Sequence, residues 1–233
     1  MTAGELKVLS AGAVKRGVSK VAAAFERETG TRVDIEFCTA PEMRKRVAAG
    51  EAADVFVVPA AVMDEFQQQG RIAAGSRGFV GRSRMGVVVH ARAPTPDLAN
   101  AEAFKRVVRA ASVVVYNRAT SGVYTAQLME KLGLDRELGS RVVIVDTGAA
   151  VMEYVAAHPP AAVGLTQISE IMVLIDQGCA VRLAAPLPDD IQNVTSYDAA
   201  AVAGSSAPDA ARKLAGNLAS DAARKILAAT GIS

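Results

Sequence analysis

The sequence predicts an α/β protein in which mixed, mostly parallel sheets are flanked by helices and divided between two lobes. Short runs of β-branched and aliphatic residues alternate with longer amphipathic segments, which is the pattern of successive β-α-β units. Hydrophobic residues make up 51% of the chain and charged residues 21%, as in ordinary globular proteins. A length of 233 residues lies between one large domain and two small ones, so two compact lobes would fit.

Strands are predicted where apolar, mainly β-branched residues run between turn-forming residues. In chain order they are 6–9, 32–38, 54–58, 84–90, 113–116, 142–145, 162–166 and 181–183. Helices are predicted where apolar residues recur every three or four positions, with Pro41 in a first turn and Gly133 after a last one. In chain order they are 14–28, 41–49, 121–132, 147–157 and the closing helices within 207–230.

Four segments that follow strands are predicted to carry the binding site. Right-handed crossovers bring the loops after parallel strands to one edge of a sheet, where ligands of open α/β sheets bind. The segments are 10–15, 38–42, 117–124 and 146–150, and each leads into the start of a helix. Unpaired N–H groups and the positive end of the helix dipole favour an anion there. We therefore expect a small anionic ligand.

Composition and motifs exclude several other classes of protein. A net charge of +2, with both signs interspersed, gives no reason to expect a nucleic-acid or membrane partner, and we expect a monomer. Cys38 and Cys179 have no metal or redox spacing and are interpreted as buried apolar residues. His90 and His158 belong to no metal-ligand pattern. Because GxSxG, P-loop and GxGxxG signatures are also missing, we expect no metal and no cofactor and assign no catalytic residue.

Four stretches resemble the molybdate-binding family of ABC-importer solute-binding proteins, which has the type II periplasmic-binding-protein fold. They are LKVLSAGAV at 6–14, GEAADVFVVPAAVMDEFQQQGRI at 50–72, SGVYTAQLMEKLG at 121–133 and AAVGLTQISEI at 161–171. The resemblance implies a discontinuous first lobe at 1–80 and 194–233 and an inserted second lobe at 81–193. It also implies a hinge near 79–84 and 188–197 that lets the lobes close on a ligand, and the membrane subunits of an importer as partners.

The sequence departs from the family at its oxyanion site. The resemblance places the family's two serine hydroxyls at Ala13 and Ala40, with Thr39 beside the latter, and its tyrosine at Gln167. A tetrahedral oxyanion would lose about 1.5 to 3 kcal/mol with each of these partners. The same loops carry cations, which bind planar carboxylates well. The sequence therefore favours an organic di- or tricarboxylate over molybdate, and the cations are Lys15, Arg16, Arg44 and Arg118.

The remaining candidates are residues that suit backbone or hydroxyl contacts with an anion. We expect Ser121 to cap its helix, Gly122 to let a ligand approach the backbone and Tyr124 to offer its hydroxyl. A plain helix start with a buried aromatic ring explains these three residues as well, and a solvated helix face explains Arg44. The other predicted contacts are Ala11, Gly12, Thr147 and Gly148.

Three functions remain open. The first is ligand capture for an ABC importer. The second is an isomerase similar to aconitate isomerase, with Glu42, Lys15 or Tyr124 as candidate base and no spacing that selects one. A ligand-sensing regulatory domain ranks last. Because residues 1–5 show none of the stages of a secretory signal, we expect a periplasmic protein if a signal precedes this sequence and a cytoplasmic one otherwise.

Overall fold

The computed structural model describes residues 4–158 and 161–233, and these divide into two compact units. Unit 1 contains the described residues up to Ser83 together with Thr195–Ser233, and unit 2 contains Arg84–Val194. The chain passes from unit 1 to unit 2 inside the strand Gly78–His90 and returns at the start of the strand Val194–Ala201. Each unit has its own set of strands and its own helices.

Unit 1 is built on a sheet in which a parallel trio is joined by an antiparallel strand. Its helices and strands are β1 (Glu5–Ala11), α1 (Lys15–Thr29), β2 (Arg32–Cys38), α2 (Ala40–Ala48), β3 (Val55–Pro59), α3 (Ala60–Gln68), the start of β4 (Gly78–His90), β9 (Val194–Ala201), α9 (Pro208–Leu218) and α10 (Asp221–Ala228). The strand order is β2-β1-β3-β9, with β1 parallel to both neighbours and β9 antiparallel to β3. The carboxyl ends of β1, β2 and β3 therefore share one edge.

The core of unit 1 lies on both faces of this sheet. Successive residues of β3 point to opposite faces, so that Val55 and Val57 pack with α1, α9 and α10 while Phe56 and Val58 pack with α2 and α3. All four side chains are at most 2% exposed. A continuous run of apolar residues is what a strand covered on both faces requires.

In unit 2, as in unit 1, helices pack on both faces of the strands. Its helices and strands are the rest of β4, α4 (Ala101–Ala110), β5 (Val113–Asn117), α5 (Thr120–Lys131), α6 (Asp135–Leu138), β6 (Val142–Val145), α7 (Gly148–Ala157), β7 (Ala162–Gln167), α8 (Ile168–Asp176) and β8 (Val181–Pro186). Strand β5 is parallel to β6 and β7, and β4 runs antiparallel to β7 and β8. In the core, Val114 packs on the side of α4 and α5, and Val115 on the side of α7 and α8.

The predicted α/β class, with mixed and mostly parallel sheets between helices, is confirmed. The elements that were not predicted include α4, α6, α8 and β9. Helix α8 follows β7 without a break, so no turn signal separates the two. Strand β9 carries Thr195, Ser196 and Asp198, residues that read as an irregular segment until β3 is seen beside it.

Both cysteines are less buried than predicted. Cys38 and Cys179 are half-buried free thiols, and they lie in different units. The thiol of Cys38 lies 4.0 Å from the sulfur of Met43, and burial raises the pKa of each thiol. Within the described ranges, no helix is long and apolar enough to cross a membrane.

Candidate functional site

The predicted residues of unit 1 lie together at the carboxyl-terminal edge of its parallel strands. The register of β1 and β2 pairs Ala11 with Cys38, so the loops after these two residues are neighbours. Thr39 is the N-cap of α2, and its hydroxyl oxygen accepts a hydrogen bond from the backbone N–H of Glu42 at 3.4 Å. Small residues line this edge, of which Ala11 and Ala40 are buried and the others half-buried, and they are Ala11, Gly12, Ala13, Thr39 and Ala40.

The cations predicted for unit 1 differ in their partners. Lys15 begins α1, is exposed, and holds its ammonium 5.3 Å from the centroid of the Phe37 ring. A cation in a first turn opposes the helix dipole. Arg16 follows it and is half-buried. The guanidinium of Arg44 donates two hydrogen bonds of 2.7 Å to Glu65, which raises the pKa of Arg44, so its charge is already paired.

A chain of buried polar side chains marks the corresponding edge of unit 2. Asn117 ends β5, and its amide nitrogen donates to Ser121 Oγ at 3.0 Å and to Thr166 Oγ1 at 3.1 Å. The prediction that Ser121 caps α5 is wrong. The helix begins at Thr120, Ala119 is its N-cap without a side-chain bond, and Ser121 is the second residue of the helix, two residues after the N-cap.

The space beside Gly122 is filled by the backbone of its own loop and not left open for a ligand. A Cβ atom at residue 122 would lie 1.4 Å from the carbonyl oxygen of Asn117. The hydroxyl of Tyr124 donates to the carbonyl oxygen of Ile191 at 2.8 Å, and burial raises the pKa of this phenol. Arg118 forms a 3.2 Å ion pair with Asp146 in which both side chains are largely exposed. Such an exposed pair contributes little to stability.

The remaining predicted ligand residues lie at the ends of β6 and β7 and at the starts of the helices that follow. Thr147 caps α7 by accepting a hydrogen bond from the N–H of Ala150 at 3.1 Å, and Gly148 is the first residue of that helix. Gln167 ends β7, is 2% exposed and is the N-cap of α8. The carboxyl group of Glu170 lies directly against Gly148 and accepts a hydrogen bond from Thr166 at 2.6 Å.

Glu170 was not selected from the sequence. An acidic residue in the first turn of a helix looks like an ordinary partner of the helix dipole. The sequence does hold one signal, which is the polar pair Thr166 and Glu170 at a spacing of four just after a buried strand. None of the three candidate bases, Glu42, Lys15 or Tyr124, has comparable surroundings.

The histidines have local partners. The Nδ1 atom of His90 accepts from the N–H of Arg92 at 3.2 Å, and the His158 ring stacks on Tyr154 with the centroids 4.0 Å apart. Among residues 4–158 and 161–233, no three histidine, cysteine or acidic side chains gather into a metal-binding group. A pocket of about 640 Å³ in unit 1 is lined by Gln67, Arg77, Phe79 and Asp198 among others, none of them a predicted ligand residue.

The fold of this chain is shared with solved structures of periplasmic binding proteins. The periplasmic molybdate-binding protein of Azotobacter vinelandii has the same fold, with a TM-score of 0.79, 18% identity and coverage of 98% of both chains. The tungstate ABC transporter protein of Geobacter sulfurreducens gives a TM-score of 0.76 and 18% identity over 97% of this chain and 98% of that one. At these identities the likeness shows the fold alone.

Residues 6–233 match the family described as bacterial extracellular solute-binding protein, and the chain belongs to that family. The predicted resemblance is therefore confirmed. Members of the family bind small anions and work with the membrane components of ABC transporters. A curated relative, aconitate isomerase of Pseudomonas sp., is 32% identical over 217 residues, which cover 90% of this chain and 80% of the relative.

Proposed function

We propose that this solute-binding protein takes an organic di- or tricarboxylate as its ligand and delivers it to the membrane subunits of an importer in the periplasm. The similarity to aconitate isomerase carries the choice of ligand, since that enzyme is named for a tricarboxylate. The site residues support it. Ala13, Ala40 and Gln167 stand where hydroxyls are expected for molybdate, and Lys15 forms no ion pair with a carboxylate in the described part of the chain.

The same relative favours a second function, which is isomerisation of a tricarboxylate. Isomerisation of a carbon–carbon double bond without a cofactor requires a proton to leave one carbon and return to another. Such a reaction needs an acid–base group beside the ligand. The carrier and the isomerase therefore share a ligand class and differ in whether the bound acid is changed. Sharing of the ligand by the two units, with a hinge at the two chain crossings, stays a prediction.

A thermal-shift screen distinguishes these functions. Purified protein is heated with molybdate, tungstate, sulfate, phosphate or one of a panel of di- and tricarboxylates, and each hit is followed by NMR. A ligand at 100 times its Kd stabilises the folded state by about 2.7 kcal/mol, and we expect a tricarboxylate to raise Tm by several degrees. A ligand left unchanged supports the carrier, and one that isomerises supports the enzyme. A hit on molybdate or tungstate alone would contradict the proposal.

Replacing Lys15 tests the cationic part of the site. We expect Lys15→Ala to weaken binding of a tricarboxylate by about 10- to 100-fold, because one charge-assisted hydrogen bond is worth about 1.5 to 3 kcal/mol. Lys20→Ala is the matched control, since Lys20 is an exposed lysine further along α1. Titration calorimetry of both variants measures the effect. Equal affinity of the Lys15 variant and the wild type would remove this lysine from the site.

A further inference from the structure

The Glu170 carboxyl accepts a hydrogen bond from the end of a relay of buried side chains in unit 2. Glu170 is the third residue of α8, and its Oε2 atom accepts a hydrogen bond from the hydroxyl of Thr166 at 2.6 Å. The Thr166 hydroxyl accepts a hydrogen bond from the side-chain amide of Asn117 at 3.1 Å. The same amide also donates a hydrogen bond to the hydroxyl of Ser121. Asn117, Ser121 and Thr166 are at most 3% exposed. The orientation of the carboxyl is thus fixed by a buried relay of hydrogen bonds.

The position of the carboxyl also depends on Gly148. A Cβ atom at residue 148 would lie 2.1 Å from Glu170 Oε2 and 2.4 Å from Oε1, so any side chain there would take the place of the carboxyl. The residue as a whole is half-buried, while its carboxyl group is desolvated by the surrounding protein. Part of Glu170 is therefore exposed, while its carboxyl group is enclosed by protein at the strand edge predicted to bind the ligand.

The charge environment leaves this carboxyl able to gain or lose a proton. Burial raises the pKa of Glu170, against the opposing hydrogen bonds from the Thr166 hydroxyl and the backbone of Gln167. Across the described residues, no lysine or arginine forms an ion pair with it. The groups that face it are Thr166 and Gln167 at the end of β7 and the backbone of Gly148 on α7, and none of them is charged.

One structural role explains part of this arrangement. Gln167 is the N-cap of α8 and Glu170 is three residues later, which is the spacing of a capping box. A glutamine serves a capping box as well as a glutamate does. The capping role requires neither the relay from Asn117 and Thr166 nor the space left by Gly148, so these contacts need another explanation.

We infer that Glu170 is an acid–base residue that moves a proton on a polycarboxylate bound at the carboxyl-terminal strand edge of unit 2. Thr166, Asn117 and Ser121 are its positioning residues. The inference rests on the proposed ligand class and deepens the second function, since a carrier has no use for a proton-transferring group.

The step conserves atoms and electrons. The Glu170 carboxylate removes a proton from a methylene carbon that lies next to a carboxylate and adjoins a carbon–carbon double bond. The C–H electron pair becomes part of an allylic anion delocalised over three carbons. The protonated carboxyl returns the proton to the far carbon of this unit, so the double bond moves by one position and forms in either geometry. No oxidant, reductant or cofactor is consumed.

The test uses the full chain and trans-aconitate as the probe. Proton NMR in deuterated buffer measures isomerisation and the exchange of the methylene protons for deuterium, and calorimetry measures binding. We expect Glu170→Gln to retain folding and to bind within about threefold of the wild type, because the capping box and the shape are kept. We expect its isomerisation and exchange rates to fall at least 100-fold, within the range for loss of general acid–base catalysis. Glu153→Gln, on the exposed face of α7, is the control and keeps the wild-type rates.

A second variant tests the relay independently. Thr166→Val removes a hydrogen bond that lowers the pKa of Glu170, so the acidic limb of the rate–pH profile moves to higher pH. Unchanged rates in Glu170→Gln, or an unmoved limb in Thr166→Val, would overturn the inference. If the wild type binds trans-aconitate without exchange, the inference fails and the proposed ligand stands. If the wild type binds no polycarboxylate, the proposed function fails and the inference with it.

Discussion

Gly122→Ala lowers the free energy of unfolding by about 3 kcal/mol or more. The new methyl group would lie 1.4 Å from the carbonyl oxygen of Asn117 and 2.5 Å from its carbonyl carbon, and backbone atoms cannot rotate away as a flexible side chain can. The loop that ends β5 and the first turn of α5 must separate. Overpacking in a fitted core costs about 1 to 3 kcal/mol, and a backbone clash lies at the upper end of that range or beyond.

Gly216→Ala is the matched control for this prediction. Gly216 lies in α9, is exposed, and has no atom within 4 Å of the Cβ position. The same chemical change there raises the stability by up to about 1 kcal/mol, because alanine is the better helix former. Urea denaturation followed by circular dichroism measures both variants. A Gly122→Ala protein as stable as the wild type would show that the loop after β5 tolerates a wider separation from α5.

Asp54→Ala lowers the free energy of unfolding by about 3 kcal/mol. The Asp54 side chain is only 8% exposed, and its carboxylate joins two parts of unit 1 that are far apart in the sequence. It accepts a hydrogen bond from the backbone N–H of Lys7 at 2.8 Å and one from the hydroxyl of Ser205 at 2.6 Å. Hydrogen bonds to a charged group contribute about 1.5 to 3 kcal/mol each, and removal of the acceptor leaves both donors without their partner.

Two further variants define the cause of that loss. Asp34→Ala removes an exposed carboxylate from β2 of the same sheet and changes the stability by less than about 0.5 kcal/mol. Ser205→Ala removes only one of the two bonds, so it costs about half as much as Asp54→Ala. Denaturation midpoints of the three proteins give the comparison. Equal stability of Asp54→Ala and Asp34→Ala would mean that the carboxylate is not a structural link in unit 1.

The sequence predicted the repeating parts of the fold because their signals are local. Strand β3 is a run of apolar residues, and α5 ends before Gly133, which adopts a positive φ of 68° as a residue after a helix often does. Strand β9 could not be found in the same way. Its alanines and polar residues form a strand only because β3 offers a partner with matching register, and such long-range pairing leaves no local pattern.

The sequence indicated where the candidate residues lie in the fold better than it indicated their contacts. Strand ends and helix starts indicated which loops to inspect, and the structure places those loops at strand edges within each unit. The partners of individual side chains were not predictable. Arg44 is paired with Glu65 and Tyr124 with the backbone of Ile191, while Glu170 gains its environment from residues as distant in the sequence as Asn117. Contacts between distant segments determine these differences.

Calorimetric titration tests most directly whether the ligand of this protein is a polycarboxylate. The full chain is titrated with cis-aconitate, trans-aconitate, citrate and molybdate in the same buffer. We expect a saturable heat with at least one tricarboxylate, weaker binding of it in the Lys15→Ala protein, and no saturable heat with molybdate. Saturable binding of molybdate without binding of any carboxylate would contradict it.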